Sequence, residues 1–104
     1  VITDISVAPD AIVAMDLRDV VINAKEAPTG AAFIIDINDG GVSVFSTRPQ
    51  LNDGATSEAG THVFSDTAIA AGAKVTLDVD QVGSSFAGER ITVELIYSYN
   101  ISVQ

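Results

Sequence analysis

Four groups of residues in this 104-residue chain have the types and spacing to do chemistry: the run Asp36-Ile37-Asn38-Asp39-Gly40-Gly41, the pair Asp78 and Asp80, the single histidine His62, and the stretch Gly83 to Arg90. In the first, Asp36, Asn38 and Gly41 occupy the first, third and sixth places of a calcium loop. Gly40 stands at the fifth place and Thr47 at the twelfth, where an oxygen ligand and a bidentate Glu are needed, so the fit fails where charge matters most. Asn, Asp and Gly tolerate positive φ, and the run reads as a β-hairpin with a tight turn. Asp78 and Asp80 project from one strand face about 6.8 Å apart. Such carboxylates could hold a cation or divide acid and base work as in glycosidases. Catalytic pairs normally face each other across a cleft from different elements, so this pair reads as a wet strand face that hydrogen-bonds a neighbouring loop. His62 has no cysteine to act with and no G-x-S-x-G turn to serve, and it reads as a solvated side chain at the end of a polar loop. Gly83 and Gly88 have the P-loop interval, but Glu89 replaces the phosphate-binding Lys, leaving a flexible loop between two strands. The expectation is a chain that is not an enzyme, with no catalytic, cofactor-binding or metal-ligating residues.

The elements that would position these residues are strands. Val75, Leu77 and Val79 alternate with Lys74, Thr76, Asp78 and Asp80; Ile91, Val93, Leu95, Tyr97 and Tyr99 alternate with Arg90, Thr92, Glu94, Ile96 and Ser98. Val20, Ile22 and Ala24 do the same against Asp19, Val21, Asn23 and Lys25, and each pattern predicts a strand with one wet face. Phe33-Ile34-Ile35 is a denser run of the kind covered on both sides. Turn residues fall between these segments at 8–10, 27–30, 38–41, 48–49, 52–54 and 71–72. No segment has a helical period; Asp66 to Ala73 reads as an extended connection or a single turn. Six to eight short strands separated by turns predict an all-β fold, an antiparallel β-sandwich of jelly-roll type. One domain spans 1–104, with 1–10 and 100–104 as extended arms. Val20, Ile22, Phe33, Ile35, Ile37, Phe45, Val75, Leu77, Val79, Ile91, Val93 and Leu95 supply the core, with Tyr97 and Tyr99 buried in large part. Gln50 to Thr61, rich in Gly, Ser, Thr, Asp and Asn, reads as one long loop.

Composition narrows the function. Fourteen acidic against five basic residues give a net charge of −9, which repels phosphate backbones and argues against nucleic acid as a partner. There is no cysteine, so disulfides and thiolate metal sites are excluded. No apolar run approaches the roughly 20 residues of a membrane-spanning helix, and no membrane partner is expected. No basic segment followed by an apolar run opens the sequence, so no signal peptide is expected.

The blocks Ala27-Pro28-Thr29-Gly30, Asp36 to Thr47, Ala70 to Gly83 and Ala87-Gly88 stand in one order across about two thirds of the chain. In that order and spacing they resemble a β-sandwich module of tail, fibre and other virion proteins of tailed bacteriophages and prophages. The matched positions are Ala27, Pro28, Thr29, Gly30, Asp36, Ile37, Gly41, Ser43, Phe45, Ser46, Thr47, Gly72, Asp78, Asp80, Gly83 and Gly88. The module usually carries Asn-Gly in the hairpin turn, where this chain has Gly40-Gly41, and it carries the D-x-D of Asp78 and Asp80 as a structural feature. The resemblance implies a virion structural protein on the exposed surface of the particle, a fibre, tail or capsid-decoration component that acts by assembly and attachment.

The alternative is a carbohydrate- or receptor-binding module at a fibre tip, with host surface glycan as partner. Such sites want exposed aromatics; Trp is absent, and Phe64 and Phe86 lie near loops. With Asn52 and Asp53 of the long loop they are the candidate partner- or glycan-contacting residues. The strings Val1 to Val7 and Tyr99 to Val103 alternate apolar and polar and could pair with another copy or with other virion proteins. A homo-oligomer is expected, a trimer by analogy with virion fibres and spikes.

Overall fold

The computed structural model describes residues 4–8, 14–58 and 60–99. Ten strands form, β1 (Asp4–Ala8), β2 (Met15–Asn23), β3 (Phe33–Asp39), β4 (Val42–Ser43), β5 (Phe45–Thr47), β6 (Gln50–Leu51), β7 (Val63–Phe64), β8 (Ala68–Ile69), β9 (Val75–Gln81) and β10 (Thr92–Tyr99). All their pairings are antiparallel, and there is no helix among the described residues. One sheet runs β1-β9-β3, with β4 and β6 both on the far side of β3; a second runs β10-β2-β8; β5 and β7 form a separate ribbon. Of the stretch 1–10 read as an arm, residues 4–8 pair with β9 as β1. The rest of it lies outside the described residues, as do 100–104.

The alternation seen in the sequence sets which face each strand buries. Phe33, Ile35 and Ile37 of β3, Val75 and Leu77 of β9, and Leu17, Val20 and Ile22 of β2 point into one apolar cluster drawn from both sheets. Phe45 joins it, and Val79, Ile91, Val93 and Leu95 pack against it half-buried. Four core residues come from outside the expected set: Leu17, Val44, Leu51 and Ile69. β3 is not covered on both sides. Ile34 is half-buried on the outer face, where Gln50 and Gln81 are its cross-strand partners. Tyr97 is also a correction: it is 48% exposed, at the end of β10 beyond the register shift at Arg18. The side chain of Tyr99 lies outside the description.

One pairing organises the chain. Residues 15–39 run antiparallel to 75–99 along their whole length, first as β2 on β10 (Asn23 opposite Thr92), then as the bridges Glu26–Glu89 and Thr29–Phe86, then as β3 on β9 (Ile37 opposite Leu77). This two-stranded ribbon starts in one sheet and ends in the other. Its two bulges, at Arg18 and Asp80, each add one unpaired residue, which bends and twists the strand.

Candidate functional site

The passage of the ribbon between sheets has to satisfy backbone groups that belong to neither sheet. Lys25 N–H and Glu26 N–H donate to the Glu89 carbonyl (3.0 and 3.2 Å), Glu89 N–H to that of Glu26 (3.0 Å), Thr29 N–H to that of Phe86 (2.9 Å) and Ser85 N–H to that of Thr29 (3.0 Å). Pro28, with no N–H to place, is fully buried here. Gly83 is buried, and a Cβ on it would lie 2.0 Å from the Phe86 carbonyl oxygen and 2.9 Å from that of Thr29. The stretch from Gly83 to Arg90 is therefore a crossing pinned by backbone hydrogen bonds and closely packed at Gly83, where a free loop was expected, because β9 and β10 belong to different sheets and their connection runs along residues 25–29.

The same end carries three of the four residues expected to contact a partner. Gly54 N–H donates to the Pro28 carbonyl (2.8 Å) and Ala55 N–H to that of Asn52 (2.9 Å), which ties the Asn52-Asp53-Gly54 turn to the crossing. Gln50 Nε2 donates to Asn52 Oδ1 at 2.7 Å. Asn52 and Asp53 are exposed, and Phe86, opposite Thr29, is 42% exposed. The stretch 50–61 is less of a loop than expected: Leu51 is buried in β6, Ser57 bridges Asn23, and Glu58 N–H donates to the Ile22 carbonyl (3.0 Å). Phe64, the fourth residue, lies elsewhere, stacked on Phe45 with ring centroids 4.9 Å apart.

His62 is the largest departure from expectation. Its side chain is 9% exposed, edge-on to Phe45 and Phe64, with Nδ1 2.9 Å from Glu58 Oε2 and Nε2 3.0 Å from Asp19 Oδ1. The Glu58 side chain is 4% exposed and also accepts from Thr61 N–H (3.2 Å). A doubly protonated ring donates to both carboxylates; a neutral ring donates to one. His62 thus clamps the 58–64 segment onto β2. Local polarity suggested solvent, whereas Asp19 and Phe45 from distant strands close over it together with Glu58 and Phe64.

Asp36 and Asp78 share the outer face of the β1-β9-β3 sheet. Asp36 and Asp78 are direct cross-strand partners; Asn38 Nδ2 donates to Asp78 Oδ2 (2.7 Å) and Ser43 Oγ to Asp36 Oδ1 (2.5 Å). Arg48 pairs with Asp80 at 2.7 Å. Gly40 and Gly41 form the two-residue turn of the β3–β4 hairpin, both at positive φ (59° and 89°), as the hairpin reading requires. No group of three or more His, Cys, Asp or Glu side chains among the described residues could hold a metal ion. A cleft of about 280 Å³, lined by Met15, Leu17, Val75, Val93, Leu95 and Tyr97 among others, opens beneath β10. Among the described residues, no helix is long and apolar enough to cross a membrane.

Comparison with family models, with curated proteins and with solved structures finds no match to this chain.

Proposed function

We propose that this chain is a bacteriophage virion structural protein, a non-enzymatic component of the exposed particle surface that works by assembly. The observation that supports it is what the residues resembling the virion module do in the fold. Pro28, Thr29, Gly83 and Gly88 build the crossing, while Asp36, Gly41, Ser43 and Asp78 build the hairpin and its flank. Residues spent on architecture are what a scaffold repeated in a particle needs. The finer fold reading, a jelly-roll sandwich, draws support from the nesting of the pairs: β2 with β10 outermost, β3 with β9 inside it, β5 with β7 inside that. Purified particles from the host of origin, probed by quantitative mass spectrometry, test the function. The chain at stoichiometric copy number is the expected result, and particles lacking it refute the proposal.

A second reading, a glycan- or receptor-binding module, is favoured by one observation: the exposed Phe86 and the exposed Asn52-Asp53 turn are both tied by backbone hydrogen bonds to residues 28–29. An exposed aromatic ring with amide and carboxylate groups at the same end of the fold suits a sugar ligand. Retention of the chain on host cell-wall glycan, lost in Phe86→Ala with the circular dichroism spectrum unchanged, would select it.

A further inference from the structure

β10 is the terminal strand of its sheet, and its side away from β2 meets no strand among the described residues. Eight residues long, it carries no Lys, Arg or Pro to blunt pairing, and Glu94 is its one charge. Ile96 stands on its outer face, 40% exposed, between Glu94 and Ser98. From this geometry, and resting on the assembly reading above, we infer that β10 pairs antiparallel with β10 of a second copy about a two-fold axis through Ile96.

The register follows from the side chains. Antiparallel pairing between like faces allows the axis to pass through Leu95 or Ile96 near the strand centre. An axis through Leu95 sets Glu94 opposite Ile96 of the other copy, a charge against an apolar group. An axis through Ile96 sets Ile96 opposite Ile96 and Glu94 opposite Ser98. Arg18, from the bulge of β2, already donates Nε–H to Ser98 Oγ at 2.8 Å, so its guanidinium lies where the incoming Glu94 carboxylate arrives. Each copy thereby supplies a cation for the other's only β10 charge, twice over by symmetry. The partner is a second copy of this chain because the same strand provides both halves of the match. The two-fold contact replaces the trimer expected from fibre analogy.

The absence of cysteine makes the test clean. The full chain at tens of micromolar and about 0.15 M salt is expected to scatter light as a dimer. Ile96→Cys under mild oxidation is expected to give a disulfide-linked dimer, with no such product from Val63→Cys, an exposed reference position in β7. Glu94→Arg and Arg18→Glu are each expected to weaken the dimer about tenfold or more, a loss of about 1.4 kcal/mol, and the double exchange to restore it. A strict monomer, a trimer, equal cross-linking at Val63→Cys, or a double variant as weak as the singles overturns the inference. A chain that dimerises through Ile96 yet is absent from virions sinks only the virion reading; a chain mounted in virions through another face sinks only the pairing.

Discussion

Gly83→Ala tests the crossing directly. Gly83 is buried, and the added methyl would lie 2.0 Å from the Phe86 carbonyl oxygen, 2.9 Å from the Thr29 carbonyl oxygen and 3.0 Å from Pro28 Cβ. Two of these neighbours are backbone atoms and the third belongs to a proline, so no flexible side chain can swing aside. To reach 3.0 Å, the Phe86 carbonyl must retreat by about 1 Å, which breaks or stretches its 2.9 Å bond from Thr29 N–H. Overpacking of this kind costs about 1–3 kcal/mol, and weakening the bond adds about 1 kcal/mol. The expected destabilisation is therefore about 2–4 kcal/mol, equivalent to a fall in Tm of about 10–20 °C for a domain of this size. Urea unfolding followed by far-ultraviolet circular dichroism measures it. A change within about 0.5 kcal/mol would refute the close crossing and restore the flexible loop. Gly41→Ala calibrates the result: it meets no atom within 4 Å and carries only the strain of φ 89°, about 1–2 kcal/mol.

Three further substitutions probe other parts of the structure by the same unfolding assay. Leu77→Ala removes a core side chain of β9 and should cost about 2–5 kcal/mol, where a change near zero would mean the β9 register is wrong. His62→Ala takes both ring contacts from Glu58 and Asp19 and leaves the enclosed Glu58 carboxylate with the Thr61 N–H, for an expected loss of about 2–4 kcal/mol; a loss below about 0.5 kcal/mol would return His62 to the solvated class. Arg48→Ala deletes a pair with Asp80 that is open to water on both sides and should change stability by less than about 1 kcal/mol, a larger effect pointing to packing of the Arg48 stem.

Legibility in the sequence followed the length and regularity of each strand. β9 and most of β10 were readable because alternation over seven or eight residues with one wet face leaves little choice of register. β2 was readable only from Val20 onward, since the bulged Arg18 breaks the alternation and puts Leu17 and Val20, three apart, on the same side. Leu51 and Ile69 escaped because each is the single core residue of a two-residue strand, too short for any period. The sheet-switching crossing escaped for a different reason. Glycines announce turns and close approaches alike, and only the partner segment, some 60 positions away, tells them apart. His62 failed in the same way: Glu58 and Phe64 lie near it in sequence, but Asp19 and Phe45, which complete its enclosure, come from distant strands.

The charge pattern gains a physical sense once the strand order is known. Edges are ordinarily guarded by charge, and interior strands need none for that purpose. Here the arrangement is reversed along the ribbon. β2 carries Asp16, Arg18 and Asp19, β3 carries Asp36 and Asp39, and β9 carries Asp78 and Asp80, yet each of these strands has neighbours on both sides. β10, the one ribbon strand with a side that meets no strand among the described residues, carries Glu94 alone. With a net charge of −9, two copies repel when their acidic faces approach, and β10 brings a single carboxylate, Glu94, to its open side. The acids then keep the faces wet and apart, so the same distribution that discourages face-to-face aggregation leaves the β10 edge open to the pairing inferred above.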